Sequence, residues 1–234
     1  MQNQTPTIDT METENAGLIR KFFVWVYCWM FAGLLTTGFF AYYAANTPGF
    51  VNLLYSNTLV FYGIVIFQFV LVVFIALKIN SFDVSFSRFL FFVYAALNGL
   101  IFSGLLLIYT TESITTVFLL TAATFGIMSI YGYTTKKDLT TLGNISIMAL
   151  VGIIIATFVN LFLNSETFMW VLTYIGILTF VGLTAYDTQK LKRIASSIDN
   201  EESAAKQSVI GALALYLDFI NLFLRLLRLF GKRR

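Results

Sequence analysis

Residues 207–230 read QSVIGALALYLDFINLFLRLLRLF, and this stretch decides the fold. Its polar and small positions, Gln207, Gly211, Ala214, Asp218, Asn221, Arg225 and Arg228, recur in alternating steps of four and three. That spacing draws one stripe along an α-helix. Nearly every other position from Val209 onward is Leu, Ile, Val, Phe, Tyr or Ala. Such a helix turns apolar sides to lipid or to other helices, and it needs a polar partner for Asp218. An ionisable side chain inside a membrane is costly and marks a functional site by default. Upstream, Asp187 closes the preceding apolar segment in Ala185-Tyr186-Asp187-Thr188-Gln189, which puts two carboxyls on consecutive helices.

The rest of the chain has the same character. Hydrophobic residues make up 58% of its 234 positions and charged residues 12%, with a mean hydropathy of +0.81. An ordinary soluble domain carries about 25% charged residues. No Asp, Glu, Lys or Arg occurs over 22–77, and further uncharged runs cover 89–111, 113–135, 139–165 and 167–186. A spanning helix needs about 20 mainly apolar residues. The first run breaks at Asn46-Thr47-Pro48-Gly49, with Ser56-Asn57 a second polar spot, so it holds two helices. Spans are expected near 22–45, 58–77, 89–109, 114–133, 143–163 and 168–186, with 207–230 the seventh. The expected fold class is an all-α polytopic membrane protein. A single seven-helix domain over 22–230 lies between a cytoplasmic tail at 1–21 and a basic tail at 231–234. The polar stretch 188–206 is expected as a solvated loop or a helix extension.

Basic residues order the loops. Arg20 and Lys21, then Lys78 and Arg88, then Lys136 and Lys137, then Lys190, Lys192, Arg193 and Lys206 fall on alternate connections. The connections between them, at 46–57, 110–113 and 164–167, hold no Lys or Arg and only Glu112 and Glu166 as charges. Cytoplasmic loops carry the excess of Lys and Arg, which predicts a cytoplasmic N-terminus. The polar, acidic residues 1–19 do not resemble a cleaved signal. Helix seven ends in Arg225, Arg228, Lys232, Arg233 and Arg234. Those five cations argue that its end stays cytoplasmic.

The chain contains no histidine. No imidazole is available as a base, a metal ligand or a pH switch. Serine–histidine hydrolases and histidine-ligated zinc proteases are thereby excluded. The single Cys28 has no disulfide partner within the chain and reads as a packing residue. Ala95/Gly99/Ser103 and Ala122/Gly126 stand at helical spacing and read as faces where helices approach closely.

Two segments, YIGILTFVGLTAYDTQK (174–190) and GALALYLDFINLFL (211–224), resemble the signature regions of the Bax-inhibitor family, the transmembrane Bax inhibitor motif proteins. The similarity extends to YGYTTKKDL (131–139) and LRLFG (227–231), and it is greatest to the bacterial inner-membrane branch. The resemblance implies seven helices, six of them wrapped around a central C-terminal one. It also implies a pH-sensitive calcium leak controlled by two aspartates that share a proton, and these fall on Asp187 and Asp218. A basic partner for the first aspartate is implied near the end of span two, where this chain has Lys78.

Physical reasoning points to the same pair. Two carboxyls in a low-dielectric site cannot readily both ionise, so they titrate as a unit and give a histidine-free chain a pH sensor. Asn221, one turn beyond Asp218, can donate to it, and Arg225, two turns on, is placed to snorkel to the cytoplasmic interface. No cofactor, no tightly bound metal and no enzyme activity are expected. Calcium, which prefers several oxygen ligands, is expected as a passing ion near Asp187 and Asp218. The expected partners are the lipid bilayer and calcium, and no nucleic acid. An intramembrane aspartyl protease fits Tyr186-Asp187, but residues 215–218 read Leu-Tyr-Leu-Asp where that class needs Gly-x-Gly-Asp. A non-transporting regulator that binds other membrane proteins or proteases stays open as the alternative.

Overall fold

A computed structural model describes residues 8–78 and 82–234. Residues 1–7 of the expected N-terminal tail lie outside the described residues. The described chain forms α1 (Ile8–Ala45), α2 (Pro48–Ser56), α3 (Thr58–Lys78), α4 (Val84–Ile108), α5 (Thr111–Thr134), α6 (Thr140–Leu163), α7 (Glu166–Ala195) and α8 (Glu201–Phe230). All except α2 are long and apolar enough to cross a membrane, so the all-α, seven-span class is the one observed.

Local chemistry sets most of the boundaries. Asn57 Oδ1 accepts from the amides of Leu59 and Val60 at the start of α3. Ser165 Oγ does the same for Phe168 in α7, and Asn200 Oδ1 for Ser203 in α8. These caps satisfy amides that a helix start leaves without partners. At the end of α6, Asn164 turns the chain at φ 47°, a conformation that Asn tolerates better than most residues. The stretch expected as a loop at 46–57 contains a short helix instead. Pro48 is pre-set for a first turn, and α2 is pinned to α4 by Tyr55 Oη, which donates to the Ile101 carbonyl at 2.9 Å. The polar stretch 188–206 resolves into helix extensions of α7 and α8 around a turn at 196–200.

Helix α8 is the most deeply buried element. It packs mainly on α1, α4, α5 and α7, whereas α3 packs on α4 and α6 on α7. Four helices therefore make the principal contacts with α8, and two stand outside them. Val209, Leu215, Tyr216, Leu222 and Leu227 of α8 are fully or almost fully buried. Lipid is as apolar as leucine, so close packing and hydrogen bonds hold such a bundle together. Gly99 exemplifies the packing: a Cβ there would lie 2.5 Å from the Thr37 carbonyl oxygen of α1. Ala122 and Gly126 do not form the expected close-approach face. Nothing lies within 4 Å of a Cβ built on Gly126. Cys28 likewise is exposed rather than packed.

The two ends of α8 lie at opposite faces of the bundle. Its first residue, Glu201, pairs with Lys21 of α1 at 2.6 Å. Beyond its last turn, Arg233 forms an antiparallel bridge with Tyr109 between α4 and α5. Thr110 N donates to Lys232 O at 3.1 Å, Arg234 N to Ile108 O at 2.9 Å, and Lys232 N to Ser113 Oγ at 2.8 Å. The expectation that the end of α8 returns to the face of the N-terminus is therefore overturned. Thirty residues of helix extend about 45 Å, and backbone pairing holds the residues after α8 at the α4–α5 turn.

Candidate functional site

Asp187 lies on α7 about two turns before that helix ends, and Asp218 lies past the middle of α8. Leu191 packs on Gly211 and Gly176 packs on Arg225, so the two helices run antiparallel. That register brings the carboxyls of Asp187 and Asp218 within hydrogen-bonding reach of each other. Asp218 is 4% exposed, and its Oδ2 is buried with no hydrogen-bond donor among the described residues. Asp187 is half-buried.

Glycines fix the position of Asp187. A Cβ on Gly132 of α5 would overlap the Ala185 carbonyl oxygen, and one on Gly143 of α6 would enter the Tyr186 ring. Only a missing side chain lets α5 and α6 close on α7 immediately before the aspartate. Two residues after it, Gln189 reaches across to the α5–α6 turn. Its Nε2 donates to Lys137 O at 2.8 Å, and its Oε1 accepts from Leu139 N at 2.9 Å. Arg193 donates to that same Oε1 at 2.7 Å and pairs with Asp138 at 2.9 Å. The Thr140 hydroxyl and amide, and then Arg193, hold the Asp138 carboxyl below the usual carboxylate range. Sequence reasoning missed this clamp. Gln189 lies in one of the resemblance segments, 174–190, and Lys137, Asp138 and Leu139 lie in another, 131–139, but spacing alone does not say that those segments touch.

The residues expected to support the pair are placed differently. Asn221 Nδ2 donates to the Leu217 carbonyl of its own helix at 2.8 Å, one turn back, which satisfies it locally. Arg225 lies beside Gly176 of α7, its Nε 2.9 Å from where a Cβ would be. It therefore points into the α7–α8 seam in the half away from the N-terminal face, and the expected reach to the cytoplasmic interface is not observed. Lys78 ends α3 exposed, and α3 packs on α4 rather than on α7. The cation that bears on Asp187 is Lys190, three residues along its own helix.

The family profile described as inhibitor of apoptosis-promoting Bax1 matches residues 19–234. The chain belongs to the Bax inhibitor family. Among relatives of this Bax inhibitor chain, it is 48% identical over 231 residues to Inner membrane protein YbhL of Escherichia coli K12, covering 98% of each chain. It is 40% identical over 226 residues to an uncharacterized protein of Borreliella burgdorferi, covering 96% of this chain and 97% of that one. It is 39% identical over 243 residues to uncharacterized protein RP147 of Rickettsia prowazekii, covering both chains fully. Among the described residues of this Bax inhibitor member, no three Asp, Glu, Cys or His side chains gather as a metal cluster.

Proposed function

We propose that this protein is a pH-sensitive cation leak of the bacterial inner membrane, with calcium as the passing ion and the Asp187–Asp218 pair as its gate. The observation that carries the reading is the meeting of the two carboxyls on α7 and α8, with Asp218 Oδ2 buried and unpartnered. A carboxyl in that setting holds a proton at low pH and shares it with its neighbour, which ties α7 to α8. When the proton leaves, two unit charges about 4 Å apart repel by about 4 kcal/mol at an effective dielectric of about 20. That is enough to shift a two-state equilibrium about 10³-fold toward a separated pair. The separated carboxylates then give a divalent cation part of the oxygen shell it prefers. The inner-membrane location is supported by the 48% identical inner membrane protein of E. coli. The Lys and Arg residues of the α5–α6 turn and of the last turns of α7 support reading the N-terminal face as cytoplasmic, with the end of α8 on the other side.

Calcium entry into dye-loaded proteoliposomes between pH 5 and 8 tests the reading. The intact protein is expected to leak faster as pH rises, with Asp187→Asn and Asp218→Asn each flattening the profile and the double variant adding little. Absence of any pH-dependent calcium flux in the intact protein sinks the proposal and leaves the non-transporting regulator in its place.

A further inference from the structure

Helices α1 and α5 both pack on α8, yet they do not pack closely on each other. A groove of about 930 Å³ opens between them, walled by Val24 and Phe31 of α1 and by Gly126 and Ile130 of α5, with Phe219 of α8 as its floor. A second cavity of about 320 Å³ shares Leu34, Phe118 and Phe219 with the first and carries the groove on to Thr111 at the opposite face. Val24, Phe31 and Ile130 are each more than half exposed, so the groove is open to the bilayer.

One end of the groove is charged. Arg20 lines its mouth at the N-terminal face and is exposed, with no partner among the described residues, whereas its neighbour Lys21 is paired with Glu201. Tyr133 closes the other side of the mouth, and the Lys192 ammonium lies 5.0 Å from its ring centroid and donates to its carbonyl. An apolar channel as long as a bilayer leaflet or more, with a free guanidinium at its interfacial end, matches one class of occupant. A guanidinium fork fits a phosphate bidentately, and apolar walls open to lipid fit an acyl chain.

We propose that the α1–α5 groove binds one anionic phospholipid, its phosphate on Arg20 and an acyl chain along Gly126 to Phe219. The site is separate from the aspartate gate, since neither Asp187 nor Asp218 lines either cavity. It does touch α8 through Phe219, the residue next to Asp218, so the lipid sets how far α1 and α5 stand apart around the central helix.

Native mass spectrometry tests this on the full chain in mild detergent with equal amounts of dioleoyl phosphatidylglycerol and phosphatidylcholine. One retained lipid per chain is expected, with phosphatidylglycerol preferred about fivefold, the preference that one basic residue at a membrane surface supplies. Arg20→Ala should equalise the two lipids, and Gly126→Leu should remove the retained lipid of either kind. Alkylation of Cys28, the sole cysteine, on folded protein with a bulky apolar maleimide should also expel the lipid, which keeps the test decisive if Gly126→Leu fails to fold. Equal retention of both lipids by the intact chain overturns the proposal, as does a phosphatidylglycerol preference that survives Arg20→Ala. Retention unaffected by Cys28 alkylation overturns it too. A second copy of the chain in place of lipid would reassign the groove as a dimer contact.

Discussion

The Tyr216 hydroxyl sits in the middle of the bundle, 2.7 Å from Thr37 Oγ1, which itself lies 2.9 Å from Ala95 O and 3.0 Å from Gly33 O. Thr37 has one proton and aims it at a carbonyl, so Tyr216 is the donor in their shared bond. Tyr216→Phe leaves Thr37 satisfied and should cost about 0.6 kcal/mol, typical of a hydrogen bond between membrane helices. Thr37→Val leaves a buried tyrosine hydroxyl with no acceptor and should cost more. Unfolding midpoints in a denaturing detergent compare the two, and a milder Thr37→Val would show the donor assignment to be wrong. The aspartates were legible from sequence because each breaks or ends a long uncharged run at helical spacing. Thr37 was not, since a threonine on an apolar helix looks the same whether it faces lipid, its own backbone or a neighbouring tyrosine. Asn221 and Arg225 were misassigned for a related reason. Helical spacing gives the distance along α8, but not that Asn221 turns to its own carbonyl or that Gly176 makes room for a guanidinium.

At the scale of elements, α7 is gripped where α5 and α6 meet it through glycine. Gly132→Ala should force α5 off the Ala185 carbonyl, with an overpacking cost of about 1–3 kcal/mol. Gly126→Ala, on the same helix but facing the groove, should be near neutral. Thermal melts of the two purified variants make the comparison, and equal melts would contradict the packing described for α5. The clamp on the α5–α6 turn makes a separate prediction. Asp138 is held below its ordinary value of 3.8, so its contribution is complete above that value and is lost only as pH falls through the still lower folded one. Between pH 5 and 8 it stays charged, and Asp138→Asn should leave the pH profile of the proposed calcium leak unchanged while Asp187→Asn flattens it. A flattened profile in Asp138→Asn would move the sensor from the bundle to the turn. The long helices were legible from uncharged runs and the polar breaks between them. Helix α2 was not, because Pro48-Gly49 breaks one helix and begins another with the same residues.

Over the whole molecule, the seven membrane-length helices among the described residues put the start of α1 and the end of α8 at opposite faces. Reporters fused near the N-terminus and at the C-terminus should respond to opposite compartments, and one inserted near Glu166 should agree with the C-terminal one. Matching signals from the two ends would mean that α8 does not cross. Charge counting misplaced the end of α8. Five of the 15 Lys and Arg residues fall within 225–234, yet the remaining majority still lies toward the other face. The rule weighs loops across the whole chain and does not bind a single terminus. The number of spans and the carboxyl pair were readable from one chain. The stitching of residues 232–234 to the α4–α5 turn was not, because backbone pairing between distant segments leaves no mark in composition.

The element most enclosed by the others is made after every helix that it packs on. At about 5–20 residues per second, the ribosome finishes α8 on the order of seconds after α7 has left it. During that interval six membrane-length helices exist without the one that α1, α4, α5 and α7 all pack on. Asp187 has no Asp218 beside it, and Thr37 has no tyrosine. The incomplete bundle must keep a vacant central slot and then admit a helix that carries a carboxyl through the bilayer. A chain that stalls or is cut before residue 201 would therefore be left with an unfilled interior and an orphaned acid.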